Sequence, residues 1–480
     1  MSRKKIKTDS ILFCGESSND VTGSQYFIQF DGNKYLLECG LHQSSSNSYL
    51  DSYRINSEKF KFKPNEIKYV FVQHPHIDHC GLLPRLVKEG FTGRIIATKK
   101  TAAIMRELLL NCCYILEEEA NILSKRYSRN YLPIYEIEDV YKTFELIDTY
   151  DEYNKIVQLD ESISFQWFHN SHCLGATQIQ LIMRSQNKVR RILYTSDIGA
   201  IKTKNHYVDN TEIPSEFNDV VIMESTYGSN KKSNNKDRQF DINHLKSAID
   251  TVIARHGTVI FPCFSFSRTQ EILTTLYEIY SSDKKFEIPI IIDSQLSCDI
   301  CKLYSRLLEN SHIALWNDVS NWDNVHFVSD KEDSKFWIAC NEPKIVISSS
   351  GFCTNGRIIN YLKKYLSDEN SMIIFTGYTG DNQSYLSYRI KNYRNHKYIS
   401  INKEKIFNKA DCITLTSFSS HANQNDLIKY GCSLNTNKLI LVHGSDDSKK
   451  TLSNELRSAI SSNNKSYKVL CSAKGMIVHL

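Results

Sequence analysis

What the sequence has little of narrows it first. No run approaches the roughly 18–20 continuous apolar residues of a membrane span. The basic start MSRKKIK leads into TDSILFCGESS, which is too short and polar for a signal-peptide core. Both absences predict an intracellular chain, cytoplasmic or, in a eukaryote, nuclear, with no membrane partner. The 14 cysteines are scattered from Cys14 to Cys471, and CxxC occurs once, at Cys298 and Cys301, with no second pair near it. A zinc ribbon needs four organised ligands, so buried free thiols are expected instead. Charge of one sign is scarce too: a net +5 permits an anionic partner without demanding one. No internal repeat is visible.

What is present is an ordinary globular composition, 41% hydrophobic and 24% charged over 480 residues, with room for about two to three domains. Short apolar, β-branched runs bounded by Gly, Pro or polar residues read as buried strands: KYLLECG, IKYVFVQ, RIIAT, RILYTSD, DVVIMES, GTVIFPCF, IPIIID, PKIVISSS and SMIIFTGY. Longer helical patterns lie between several of them, including TAAIMRELLLNCCYILEEEANILSKR and SRTQEILTTLYEIYSS. Alternating strand and helix predict an α/β fold. The polar stretches HQSSSNSYLDS, YGSNKKSNNKDRQ and SSNNKS are expected loops, the second of them a domain boundary.

One stretch carries chemistry. QHPHIDHCGL places His74, His76, Asp78 and His79 within six positions, directly after the strand IKYVFVQ. Two residues apart on extended backbone, His74 and His76 point the same way and can share one metal. Asp78 and His79 follow at the turn and can serve a neighbouring ion. Two coordination spheres need more ligands, and His172 in FHNSHCLGATQIQ and Asp197 in ILYTSDIGA stand at strand ends, three and two residues before a glycine. A carboxylate at Asp197 could bridge two cations.

In this order and spacing, HPHIDH, SHCLGA and YTSDIG resemble successive motifs of the metallo-β-lactamase fold. MESTYG, FSSHANQNDL and LVHGSDDSK resemble the three signatures of its β-CASP nucleic-acid-processing branch, and PCFSFSRTQEIL, IPIIIDSQL and SSSGFCTNGRI extend the match over essentially the whole chain. The chain resembles ribonucleases similar to the endonuclease subunit of the cleavage and polyadenylation specificity factor and its prokaryotic relatives. The resemblance implies a four-layer αββα sandwich with an inserted α/β β-CASP domain, divided as 1–205, 206–395 and 396–480. It further implies two Zn²⁺ ions: one on His74, His76 and His172, the other on Asp78, His79 and His443, with Asp197 bridging. Asp78, Glu224 and His421 would be catalytic, the last two as a carboxylate–imidazole pair that protonates the leaving oxygen.

The metals alone do not name the substrate, because the same chemistry suits a β-lactam or a thioester. His443 does more: among relatives a histidine there accompanies action on RNA, whereas the DNA-repair branch usually carries an apolar residue. SSSGFCTNGR could cradle a phosphate through Ser349, Ser350 and Arg357, and Arg268 could add a charge, although either arginine also fits an ordinary ion pair. No RNA-recognition or KH module accompanies them.

Three positions depart from the family pattern. Glu38 stands in YLLECG where Asp is usual, and would orient metal ligands without binding metal. Asn423 replaces an Asp after the His-Ala of the second signature, which removes a charge near His421. GYTGDNQSYL replaces the usual Gly-Thr-Leu-Gly-Arg type of run. The expected function is zinc-dependent hydrolysis of single-stranded RNA, endonucleolytic, 5′-3′ exonucleolytic or both. A catalytically silent RNA-binding subunit and a DNA nuclease of the same fold are the alternatives. Association as a homodimer or within an RNA-processing complex is left open.

Overall fold

The computed structural model describes residues 8–44, 48–229, 237–380, 382–393, 398–462 and 465–480. The chain divides into two compact units. One comprises Met1–Thr203, Val208–Asn234 and Ser420–Leu480; the other comprises Lys204–Tyr207 and Asn235–Ser419.

The first unit begins with an antiparallel run, β1 (Ser10–Phe13), β2 (Tyr26–Phe30) and β3 (Asn33–Leu37). It continues in parallel through β4 (Tyr69–Phe71), β5 (Arg94–Ala97) and β6 (Ile147–Thr149). A second sheet follows as a meander, β7 (Ile156–Asp160), β8 (Ile163–His169), β9 (Thr177–Arg184) and β10 (Val189–Tyr194). After the two-residue β11 (Phe217–Asn218), β12 (Val220–Glu224) joins β10 in parallel.

The second unit holds a parallel six-stranded sheet. Its strands are β13 (Thr258–Pro262), β14 (Ile290–Asp293), β15 (Val325–Val328), β16 (Lys344–Ser348) and β17 (Met372–Phe375). A hairpin, β18 (Tyr398–Ile401) and β19 (Glu404–Phe407), precedes the last strand, β20 (Asp411–Thr414). The sheet order is β15-β14-β16-β13-β17-β20. The chain then returns to the first unit, where β21 (Asn435–Thr436) pairs with β11. There β22 (Lys438–Val442) and β23 (Lys468–Cys471) extend the second sheet beyond β12, and β24 (Ile477–His479) pairs with β1.

Alternation along the strands builds the layers of the first unit. Tyr35, Leu37 and Phe71 face Phe165, Trp167 and Leu181 of the other sheet. Leu36, between Tyr35 and Leu37, faces away, packing with Val70, Met105 and Leu109 under the helix Lys99–Tyr127. On the far side, Leu193, Val221 and Leu441 pack against Leu427 and Leu452 from the helices Gln424–Ser433 and Asp446–Ser462. The result is the four-layer αββα order expected.

Some expectations shift. The second crossing between units falls at Ser419–Ser420 rather than after residue 395, because β20 completes the parallel sheet of the second unit by pairing with β17. HQSSSNSYLDS is not all loop: the helix Tyr49–Asn56 starts within it, its N-terminus capped by the Ser48 side chain accepting from the Asp51 amide. In YGSNKKSNNKDRQ, residues 230–236 lie outside the described residues, as do 463–464 in SSNNKS. All 14 cysteines are free thiols; Cys298 and Cys301 are buried on the helix Gln295–Leu307. Among the described residues no helix is long and apolar enough to cross a membrane.

The second unit also encloses an ion network. His206 Nδ1 lies 3.1 Å from Glu271 and its Nε2 3.0 Å from Glu278, while Arg238 also pairs with Glu271. Burial works against a charged His206, but the two carboxylates outweigh it and push its pKa up to about 9. A raised imidazole pKa contributes stability fully present below about pH 6.5 and lost as pH rises through the folded value. Wild-type protein is therefore expected to lose on the order of 2 kcal/mol between about pH 6.5 and 9 relative to His206→Gln. Urea titrations at both pH values check this; parallel loss in both proteins would contradict it.

Candidate metal centre

Strand ends of the first unit converge on one cluster. Past the end of β4 the chain bends at Gln73 and His74 and reaches His76, which precedes the single helical turn Ile77–Cys80 carrying Asp78 and His79. His172 follows β8, Asp197 follows β10, and His443 follows β22. That turn needs Gly40 beneath it, since a Cβ there would stand 1.7 Å from the Asp78 carbonyl oxygen. Glu38, Ser196 and His443 all adopt positive φ, a cost that non-glycine residues bear chiefly at functional sites.

The seven expected ligand residues fall into two groups: His74, His76 and His172 in one, Asp78, His79, Asp197 and His443 in the other. Asp197 faces both. Its Oδ2 lies 3.7 Å from the Nε2 of His74 and of His172; its Oδ1 lies 3.4 Å from His79 Nε2 and 3.3 Å from His443 Nδ1. Within the groups, His172 Nε2 is 3.3 Å from His76 Nδ1, and Asp78 Oδ2 is 3.3 Å from His79 Nε2 and 3.4 Å from His443 Nε2. Ligands bound at about 2.0–2.1 Å in a tetrahedron stand about 3.3 Å apart. The spacing suits donors around a cation.

Polar satisfaction agrees. Among the described residues, His74 Nε2, His79 Nε2 and Asp197 Oδ1 are buried with no hydrogen-bond partner, an arrangement proteins avoid unless something else fills the role. The Ser196 hydroxyl donates to Glu38 Oε1 at 3.2 Å, so it accepts from His74 Nδ1–H at 3.0 Å. That bond fixes the tautomer and leaves the Nε2 lone pair as a ligand. Burial holds His74 and His172 well below the usual imidazole range and brings His76 down to about 4, so all three are neutral donors. Burial also opposes charge on His79, yet the Asp197 and Asp78 carboxylates hold it well above its ordinary value. Those carboxylates stay ionised despite burial, and the site as a whole calls for positive charge.

Glu38 lies against the same cluster. Fully buried, it accepts from the Gln73 amide and Ser196 and lies 3.6 Å from His79 Nδ1; burial, partly offset by His79, raises its pKa to about 7. Beside the cluster, Glu224 at the end of β12 accepts from the Ile198 amide at 2.5 Å and the Thr226 amide at 3.2 Å. Its Oε1 also takes His421 Nδ1–H at 3.1 Å. Burial would lower the His421 pKa, but Glu224 outweighs it and pushes it up to about 9. The missing charge at Asn423 therefore does not leave His421 neutral. Asn423 instead caps the helix Gln424–Ser433, accepting from the Asp426 amide at 2.9 Å.

The expected phosphate-binding residues belong to the second unit. There Arg357 is engaged by protein: its Nη1 is 2.8 Å from buried Asp293 and 3.1 Å from the Val328 carbonyl, and its Nη2 is 2.7 Å from the Ser329 carbonyl. Arg268 donates to the Thr376 carbonyl at 2.8 Å. Ser349 shares a hydrogen bond with Ser294, and Ser350 Oγ accepts from the Thr354 amide within its own turn. These contacts give all four residues internal structural work.

Sequence reasoning passed over Asn170. Its Nδ2 donates to the Asp197 carbonyl at 2.7 Å, and its Oδ1 accepts from the His172 and Gly199 amides, both at 3.1 Å. One amide thus ties the His172 and Asp197 turns together. Its place two residues before His172 was the available signal. Thr226, 3.1 Å from His443 Nδ1, was missed likewise.

Comparison with known proteins fits this geometry. Residues 19–111 match the Metallo-beta-lactamase superfamily, 269–383 the Beta-Casp domain, and 409–467 the Zn-dependent metallo-hydrolase RNA specificity domain. Ribonuclease TTHA0252 of Thermus thermophilus is 26% identical over 437 residues, which is 90% of this chain and 92% of that protein. Endoribonuclease YSH1 of Eremothecium gossypii is 25% identical over 96% of this chain, which spans only 58% of the relative's length. Cleavage and polyadenylation specificity factor 73 of Drosophila melanogaster is 26% identical over 75% of this chain and 50% of its own. A solved protein of unknown function from Enterococcus faecalis shares the fold, with a TM-score of 0.56 at 12% identity, covering 98% of this chain and 100% of that one. With its strands, its histidine–aspartate cluster and three matched domains in order, the chain carries metallo-β-lactamase, Beta-Casp and RNA specificity domains.

Proposed function

We propose that the protein is a ribonuclease that hydrolyses phosphodiester bonds of single-stranded RNA with two zinc ions, acting in RNA processing or decay. The observation that carries this reading is Asp197, whose two oxygens face two separate histidine groups beside the Glu224–His421 pair. His74, His76 and His172 would hold one ion, and Asp78, His79 and His443 the other, with Asp197 shared. Bound there, the ions supply Lewis acidity toward the phosphodiester and activate water near neutral pH. Glu38 and Ser196 orient the imidazoles; Asn170 sets the spacing of the His172 and Asp197 turns. Glu224 keeps His421 charged, so that its Nε2–H can protonate the departing ribose oxygen. The ribonuclease names of the relatives point to the same substrate.

The test is gel-resolved cleavage of a 5′-labelled single-stranded RNA by zinc-loaded protein, beside matched DNA. Cleavage of RNA in preference to DNA is expected, and the product ladder separates internal from terminal cuts. Protein that holds two zinc ions and binds RNA but cuts neither strand would refute the enzyme reading and favour a silent RNA-binding subunit.

A further inference from the structure

The second unit carries a feature that the metal chemistry does not use. Three adjacent strands of its parallel sheet, β16, β13 and β17, each run at their C-terminal end into a loop bearing an aromatic residue: Phe352, Phe264 and Tyr378. From β13 the chain passes to β14, on the far side of β16; from β16 it passes to β17, on the far side of β13. The loops after β13 and β16 therefore leave in opposite directions. In open α/β sheets that reversal opens the crevice where ligands bind.

The rings form a connected set. Phe264 meets Phe352 edge-on at 5.3 Å between centroids, and Tyr378 meets Phe352 at 6.1 Å and 88°. Yet Phe264 stays 50% exposed and Tyr378 58%, high values for aromatic side chains held in such a cluster. Gly351 makes the arrangement fit, since a Cβ there would lie 3.1–3.3 Å from three Phe264 ring atoms. The Phe264 carbonyl accepts from both the amide and the hydroxyl of Thr269, which fixes the loop before any ligand arrives.

The chemistry around the rings selects the ligand. Residues 263–267, 349–356 and 376–385 include no Leu, Ile, Val or Met and one acidic residue, Asp381; the rest, beyond the aromatics, are Ser, Thr, Asn, Gln, Gly and Cys. An apolar protein segment would be met by aliphatic side chains. Aromatic faces set among hydroxyls and amides suit a flat, hydrogen-bonding heterocycle, and Arg268, bonded to Thr376 between two of these loops, adds positive charge.

We propose that Phe264 and Tyr378, backed by Phe352, form a base-stacking site for an unpaired nucleobase of single-stranded nucleic acid. The proposal rests on the ribonuclease reading for its RNA, and it adds a contact to the bases themselves. Stacking is sequence-tolerant, because every base presents a π face.

The experiment measures binding of a nuclease-resistant phosphorothioate RNA ten-mer to zinc-loaded protein across a salt series. An equal-length abasic strand and a deoxy strand run in parallel. Phe264→Ala and Tyr378→Ala are each expected to weaken RNA binding by about five- to a hundred-fold, with the slope of log affinity against log salt unchanged, since no phosphate contact is lost. The abasic strand should lose nothing. Phe264→Trp restores a ring and is expected to bind at least as tightly as wild type, with its emission altered by RNA, which also controls for folding of the loop. Equal weakening with the deoxy strand would assign the site to single strands in general, and weakening with RNA alone would assign it to RNA. Unchanged affinity in both alanine variants, or an equal loss on the abasic strand, overturns the stacking site while leaving RNA cleavage by the wild type intact. Absence of both binding and cleavage in the wild type would instead remove the ribonuclease reading, and this site with it.

Discussion

Asp197→Asn is expected to lower RNA cleavage by about 10³-fold or more and to deplete zinc from both positions at once. The amide keeps the shape of the side chain but removes the charge that two histidine groups share through Oδ1 and Oδ2. Metal stabilisation of a phosphoryl transition state is worth several kcal/mol, and each 1.36 kcal/mol is tenfold in rate. Asp78→Asn, touching only the His79–His443 side, is expected to deplete that side selectively. Zinc per chain by atomic emission, read beside the cleavage rate, separates the two. An Asp197→Asn protein with full zinc and near-normal cleavage would show that the carboxylate does not bridge.

His421→Ala is expected to reduce the catalytic rate by about 10²- to 10⁴-fold, the range for a positioned proton donor, with zinc content and RNA affinity retained. The variant removes the charged imidazole that Glu224 supports through the 3.1 Å bond to Nδ1. Because the role assigned is protonation of the departing oxygen, a substrate with an intrinsically good leaving group should be cleaved by the variant nearly as fast as by wild type. Glu224→Gln should show a milder form of the same pattern. If the defect persisted undiminished on the activated substrate, or if zinc were lost, His421 would be a structural or ligand residue and not the acid.

Much of this was legible from sequence, for physical reasons. Strands such as β4, β12 and β16 are buried on both faces and so read as unbroken apolar runs. The helix Lys99–Tyr127 shows its face through the spacing of Met105, Leu109, Cys112 and Leu116. The histidine cluster was visible because four of its members occupy six positions. Orientation was not legible. Nothing local tells that Asp197 divides its oxygens between two groups, that Ser196 sets the His74 tautomer, or that Arg357 is drawn onto buried Asp293; each depends on residues over 60 positions away. The helix Tyr49–Asn56 was hidden by its polar composition, and the late return to the first unit by the polar alternation of the hairpin YISINKEKIF.

The pairing of β24 with β1 and the placement of His443 after β22 have a consequence in time. The donors near β4 leave the ribosome 369 positions before His443 does, an interval of about 20–70 s at 5–20 residues per second. Throughout it, His74, His76 and His79 belong to a half-built sandwich whose first sheet still lacks β24. The parallel sheet of the second unit, its strands all made in one uninterrupted stretch, can form while they wait. Assembly of the cluster thus waits on a residue translated long after its first members.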